Sequence, residues 1–173
     1  MNAIQALTTR RSYRGTYTDT PVPREDLQRI MEAGLAAPSG CNLQTTSLVG
    51  VDDPEVLREL NTLLKKPNMA GAPAAICVLT KPEISPAGVS FHVQDYAAAI
   101  ENMLLAAHAL GYASCWVEGY VRGNIGEQML KVLRIPEGYV FAAFLPIGVP
   151  AEDVQAPAFK PFAQRAWFNR ERD

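Results

Sequence analysis

The stretch FHVQDYAAAIENMLLAAHAL, residues 91–110, decides how this chain folds. Val93, Tyr96, Ala97, Ile100, Met103, Leu104, Ala107 and Leu110 recur at helical spacing. The opposite side is hardly polar: Ala98, Ala99, Leu105, Ala106 and Ala109. A helix that is apolar nearly all round must be covered on most sides. A chain of 173 residues has little protein with which to cover it. Alanines also let neighbouring helices approach closely. The stretch therefore reads as a central helix that a second copy of the chain helps to bury, ahead of the plainer reading as the core helix of a monomer. Gly111 ends it. Glu101, Asn102 and His108 break the apolar tract 97–110, which falls short of the roughly 20 residues that span a bilayer, so no membrane partner is expected.

Outward from this helix, short apolar runs alternate with helical ones. On the N-terminal side, Ala74 to Leu79 reads as a buried strand, and Lys81 to Ser90 as a mobile surface loop with Pro82, Pro86 and Gly88. Asp52, Asp53 and Pro54 start a helix with Val56, Leu57, Leu60, Leu63 and Leu64 on its apolar side. Thr45 to Val51 reads as a strand. A helix opening at Pro23, with Leu27, Ile30, Met31 and Leu35 as its stripe, ends at Pro38. Asn2 caps a first short helix through Thr8, with Ile4 and Leu7 on one face. On the C-terminal side, Ala113 to Val117 is a strand. Asn124 and Glu127 suggest a loose capping box for a helix through Leu133. Tyr139 to Ile147 is the last strand, where Pro146 suggests an edge or a bend. Residues 148–173 show no clear period but carry Phe159 and Phe162, as a segment does that packs on something already folded. The expectation is a single α/β (α+β) domain over residues 1–173, a sandwich of about four strands with helices on both faces.

Composition narrows the function. The charge balance is −2, from 16 basic and 18 acidic residues, which gives no case for a nucleic-acid partner. Cys41, Cys77 and Cys115 are far apart, and with only His92 and His108 there is no zinc spacing and no metal is expected. Sparse cysteines and an N-terminus without an apolar leader lead to the expectation of a cytoplasmic protein.

Three stretches carry chemistry. Arg10-Arg11-Ser12-Tyr13-Arg14 puts three guanidinium forks and a hydroxyl within five residues, a clamp for a small anion such as a cofactor phosphate; a solvated basic turn has the same composition. Ala37-Pro38-Ser39-Gly40-Cys41-Asn42-Leu43-Gln44 lets backbone and amides approach a flat polar ligand, as an ordinary turn also would. In Trp116-Val117-Glu118-Gly119-Tyr120, a glycine straight after a buried strand leaves backbone N–H groups free to face a ligand.

The pairing of R-R-S-x-R with A-P-S-x-x-N-x-Q about 25 residues later, the Trp116–Gly119 stretch and Lys160-Pro161 resemble the FMN-dependent nitroreductase family over nearly the whole chain. The resemblance implies a nitroreductase-like mixed or antiparallel sheet of four to five strands flanked by helices, in an intertwined homodimer with FMN at the subunit interface and residues 150–173 as an arm on the partner. Carried over, Arg10, Arg11, Ser12 and Arg14 hold the phosphate, ribityl chain and pyrimidine edge, with Lys160 as a second phosphate contact. Pro38, Ser39, Gly40 and Asn42 come from the other subunit to line the flavin, and Val117, Glu118 and Gly119 lie under its ring. Asn68 is a candidate for the pyrimidine. The implied activity is reduction of nitroaromatic, quinone or related acceptors by NADH or NADPH, in a ping-pong hydride transfer that needs no catalytic side chain. Cys41 is a candidate thiol beside the flavin, against the commoner fate of a buried filler. The chain is short between Val121 and Tyr139, so the acceptor site is open or built by the 81–90 loop. Two other readings stand beside this one: a specialised flavin enzyme that does not use nicotinamide, and a non-catalytic flavin-binding protein.

Overall fold

A computed structural model describes residues 1–64, 71–155 and 158–169. Its elements, in chain order, are α1 (Ala3–Thr9), α2 (Arg24–Leu35), β1 (Thr46–Val51), α3 (Pro54–Leu64), β2 (Ala74–Thr80), α4 (His92–Ala109), β3 (Ala113–Ser114), α5 (Asn124–Val132) and β4 (Val140–Gly148). The strands form one antiparallel sheet in the order β1-β2-β4-β3. The apolar run in β2 is the reason for its central place: all seven residues are buried. Alternation along the strand sends Ile76 and Val78 to a core shared with Ile30, Ile100 and Met103, and Ala75, Cys77 and Leu79 to a core shared with Leu60 and Met129. The sheet thus carries α2 and α4 on one face and α3 and α5 on the other.

The central helix forms as expected over His92–Ala109. It buries Tyr96, Ile100, Met103, Leu104 and Ala107. Its other side is only partly covered within the chain: Ala97, Ala98, Leu105 and Ala106 are half-buried, and Val93 and Ala109 are exposed. The neighbouring α1 also presents Ile4 and Leu7 to the outside, at 68% and 54% exposure. In α2, Leu27 and Ile30 are buried, but Leu35 is exposed.

Pro146 behaves differently from expectation. It lies in an interior strand, paired with β2 at Ala75. Phe144 N–H and Val117 N–H exchange bonds with each other's carbonyls, at 2.9 and 3.1 Å. The register of Ala113 with Gly148 and Ser114 with Ile147 continues to that pair, so the next bonded partner of Pro146 is Cys115. Proline has no N–H to give there. The strand expected over Ala113–Val117 is therefore interrupted after Ser114 and resumes as a single bridge at Val117.

The capping box expected at Asn124 is not formed. Gly123 caps α5 without a side-chain bond, at φ 65° and ψ −135°, and its carbonyl accepts the Glu127 N–H at 3.1 Å. Asn124 is already helical, so its side chain is not at the capping position. Among the described residues no helix is long and apolar enough to cross a membrane, and no cluster of three or more His, Cys, Asp or Glu could hold a metal.

Candidate functional site

The arginine cluster begins where α1 stops. Asn2 and Gln5 form a reciprocal capping box at its start, and Arg10 N–H closes its last turn on the Ala6 carbonyl at 3.0 Å. The Arg10 fork meets the Glu101 carboxylate on α4 with two bonds, Nε to Oε1 and Nη2 to Oε2, each 3.3 Å. Arg11 donates to the carbonyls of Thr8 and Arg10 at 3.1 and 2.8 Å, and its guanidinium carbon sits 5.9 Å from the centre of the Phe159 ring. That contact is a cation–π interaction, and it brings the segment bearing Lys160, itself exposed, beside Arg11. Ser12 bridges to Ser114, and Tyr13 N–H donates to the Ser114 carbonyl at 2.9 Å. Arg14 is exposed. Burial raises the Cys115 thiol, and the charges of Arg14 and Arg10 partly offset that rise.

Beneath the cluster lies a cavity of about 370 Å³, lined by Arg10, Arg11, Tyr13, His108, Tyr112 and Ser114 among others. Ser114 is 5% exposed, and its hydroxyl is enclosed with no hydrogen-bond partner among the described residues. The same lining carries Glu152 and Asp153, and Arg10 is already paired with Glu101, so Arg11 is the guanidinium whose charge is left for an anion. His108 Nε2 lies 2.8 Å from Thr9 Oγ1. Its pKa is lowered, first by burial and then by Arg10 and Arg11.

The second group is built on the N-terminal end of α4. Buried Asp95 accepts the Gly40 N–H on Oδ1 at 2.8 Å and the Thr45 hydroxyl on Oδ2 at 2.7 Å. A Cβ on Gly40 would stand 2.3–2.4 Å from Phe91 ring and Cβ atoms, so only glycine fits. Pro38 and Asn42 are exposed and Ser39 is half-buried. Cys41, Asn42 and Gln44 all have positive φ, at 52°, 55° and 51°, and Ser39 Oγ accepts the Gln44 N–H at 3.0 Å. Cys41 is exposed, not a buried filler; Cys77 and Cys115 are the buried thiols.

In the third group Val117 is buried, and Gly119 is exposed. Glu118 accepts from Tyr96 Oη at 3.2 Å and from Arg122 at 2.5 Å. Burial and the Glu118 charge raise the Tyr96 phenol.

The first and third groups are joined within the chain, since the Ser12–Ser114 bridge and Val117 lie along the same edge of β4. The second is held elsewhere. Asp95 and Glu101 are six residues apart on α4, about 120° around the helix and about 9 Å along it. Asn68 lies outside the described residues. Glu101, Asp95, Tyr96, His108 and Ser114 are functional candidates that sequence reasoning missed. The first four sit in the central helix, where spacing identifies an apolar stripe but not the partner of a polar residue. Nothing in the sequence sets Ser114 apart.

The family model described as the nitroreductase family matches residues 7–68 and 59–149. A protein of Archaeoglobus fulgidus, provisionally named an NADH dehydrogenase/NAD(P)H nitroreductase, is 34% identical over 87% of this chain and 86% of its own length. A Bacillus subtilis protein named FMN reductase [NAD(P)H] is 32% identical over 86% of this chain and 66% of its own. The solved structure of an FMN-dependent nitroreductase from Clostridium difficile R20291 matches with a TM-score of 0.80 at 28% identity, over 96% of this chain and 99% of that one.

Proposed function

Because the chain belongs to the nitroreductase family, we infer that it is an FMN-dependent NAD(P)H oxidoreductase acting on nitroaromatic, quinone or related small acceptors. FMN, when bound, supplies the redox chemistry, taking a hydride from NADH or NADPH and passing reducing equivalents to an acceptor in the same place. The observation that supports the reading is the guanidinium cluster: Arg10 and Arg11 line one cavity, and Phe159, next to Lys160, lies against the Arg11 guanidinium.

The residues divide the work. Arg10, Arg11, Ser12 and Arg14 bind the phosphate and ribityl end, and Lys160, brought near by Phe159 on Arg11, adds charge. Glu118 and Gly119 offer backbone donors beneath the ring, and Val117, whose own N–H is given to the Phe144 carbonyl, anchors them to β4. Tyr96 and Arg122 hold the Glu118 carboxylate to one side. Pro38, Ser39, Gly40 and Asn42 serve the flavin of a second copy, because they hang on a different face of α4 from Arg10. The working form is therefore a homodimer in a single-domain fold, with residues 150–173 as an arm over the partner, and its setting is the cytoplasm. The half-covered face of α4 and the exposed aromatics Phe159, Phe162, Trp167 and Phe168 support this assembly.

A visible spectrum of the purified protein tests the reading. A flavin absorption band that bleaches on anaerobic addition of NADH or NADPH is expected. Protein that stays colourless after incubation with FMN overturns the assignment. A flavin that binds but is not bleached by either nucleotide overturns the NAD(P)H activity.

A further inference from the structure

Segment 81–90, expected from its sequence to be a mobile loop, is fastened at both ends and in the middle. At its start, Lys81 N–H donates to the Thr45 carbonyl at 3.0 Å. At its end, Phe91 packs on Gly40 so closely that no Cβ fits there. Between them, Ser85 is 3% exposed. Its N–H donates to the Val89 carbonyl at 2.9 Å, and its carbonyl accepts the Gly88 N–H at 2.8 Å. Its Oγ accepts the Val89 N–H at 3.3 Å. Pro86 fixes one φ of this turn, and Gly88 supplies the positive φ of 76° that closes it.

Both end tethers run to the Gly40 loop. Asp95 completes the unit, since it accepts the Gly40 N–H and the Thr45 hydroxyl together. One framework therefore carries the two loops side by side. On that framework the 81–90 loop holds apolar side chains in water: Ile84 is 74% and Val89 46% exposed, and Val93 in the first turn of α4 is 47% exposed. An ordered apolar patch of this kind is stabilised when another apolar surface covers it. The charges of the loop, Lys81 and Glu83, are opposite in sign and both exposed. An approaching molecule thus meets apolar surface and little net field.

We propose that Ile84 and Val89 form an apolar wall of the acceptor site, beside the flavin that the Gly40 loop lines, and that this wall favours uncharged planar acceptors of naphthoquinone type over small charged ones. This rests on the FMN reading above. NADH is the reductant: it gives up a hydride, solvent gives a proton, and the quinone leaves as hydroquinone with two electrons and two protons gained. The wall takes no part in that transfer. It acts on binding, because an apolar ring laid on Ile84 and Val89 removes both surfaces from water.

The test is steady-state kinetics of the FMN-loaded protein with NADH and two acceptors, menadione and ferricyanide. Wild type is compared with Ile84→Ser, Val89→Ser and the double variant. Both side chains are exposed, so folding is expected to survive, and melting temperature and mass by light scattering check it. The expected result is that each serine lowers the ratio of kcat/KM for menadione to kcat/KM for ferricyanide by about tenfold. The change falls mainly on the KM for menadione, and the double variant loses more than either single one. A double variant with the wild-type ratio overturns the proposal. So does a fall that is equal for both acceptors, because a wall of this kind discriminates between them. A variant of halved mass also overturns it, since the patch is then an interface between copies. Wild type that takes up no flavin, or whose flavin NADH does not bleach, overturns the FMN reading itself. A bleached flavin with an unaltered ratio overturns the wall alone.

Discussion

At the scale of single residues, the site depends on side chains held by partners far along the chain. Arg10 and Glu101 are 91 positions apart, and Gly40 and Asp95 are 55 apart. Gly40→Ala forces its new methyl into Phe91 and is expected to cost about 1–3 kcal/mol. Urea denaturation checks this, and flavin affinity should fall with it. Asp95→Asn keeps one acceptor but turns an N–H₂ toward the Gly40 N–H or the Thr45 hydroxyl. A loss of about 1–3 kcal/mol is expected on the same measurement. His108 gives the free protein an acid sensitivity. Its folded pKa is depressed, so its contribution to stability is present above the ordinary histidine value and is lost as pH falls through the folded one. Melting temperatures of apoprotein from about pH 7.5 to about pH 5.5 should drop less in His108→Gln than in wild type. These long-range partners explain what was illegible beforehand. The run Arg10–Arg14 and the loop Pro38–Asn42 are local patterns and could be read as such. His108 was visible only as a break in the apolar tract and a residue with no zinc spacing, because its neighbours arrive through folding.

At the scale of elements, hydrophobic periodicity identified the central helix and the four strands because each has one or two buried faces that repeat at its own period. Element ends were less legible, since they depend on single backbone groups. Asn124 and Glu127 have the spacing of a capping box, yet the turn is made one residue earlier by Gly123 in a conformation open to glycine. The two accounts predict opposite outcomes. Gly123→Ala should destabilise by about 1–3 kcal/mol, while Asn124→Ala should stay within about 0.5 kcal/mol. Thermal unfolding of the two variants decides between them. Pro146 makes the same point in the sheet. Its missing N–H was legible, but its side was not: the gap faces β3 and shortens that strand, while Pro146 keeps its place opposite Ala75 of β2.

At the scale of the whole molecule, the features left over inside one chain are apolar. Leu7 on α1 and Leu105 and Ala106 on α4 border a groove of about 290 Å³ whose lining is almost wholly aliphatic, Asn2 and Asn102 apart. The anion cavity and the Gly40 loop occupy different faces of α4. In the proposed homodimer a second copy laid against this helix would cover the groove and bring the loop of one chain toward the cavity of the other. Covering and cofactor binding should therefore fail together. Leu105→Glu places a charge in the groove, and a buried unpaired carboxylate costs several kcal/mol. The expected outcome is a halved mass by light scattering, with far-UV circular dichroism retained and FMN affinity reduced by at least about a hundredfold, the equivalent of about 2.7 kcal/mol. A variant that becomes monomeric but binds FMN as tightly as wild type would mean that one chain builds the whole flavin site. A variant that stays dimeric would mean that the partner sits on another face.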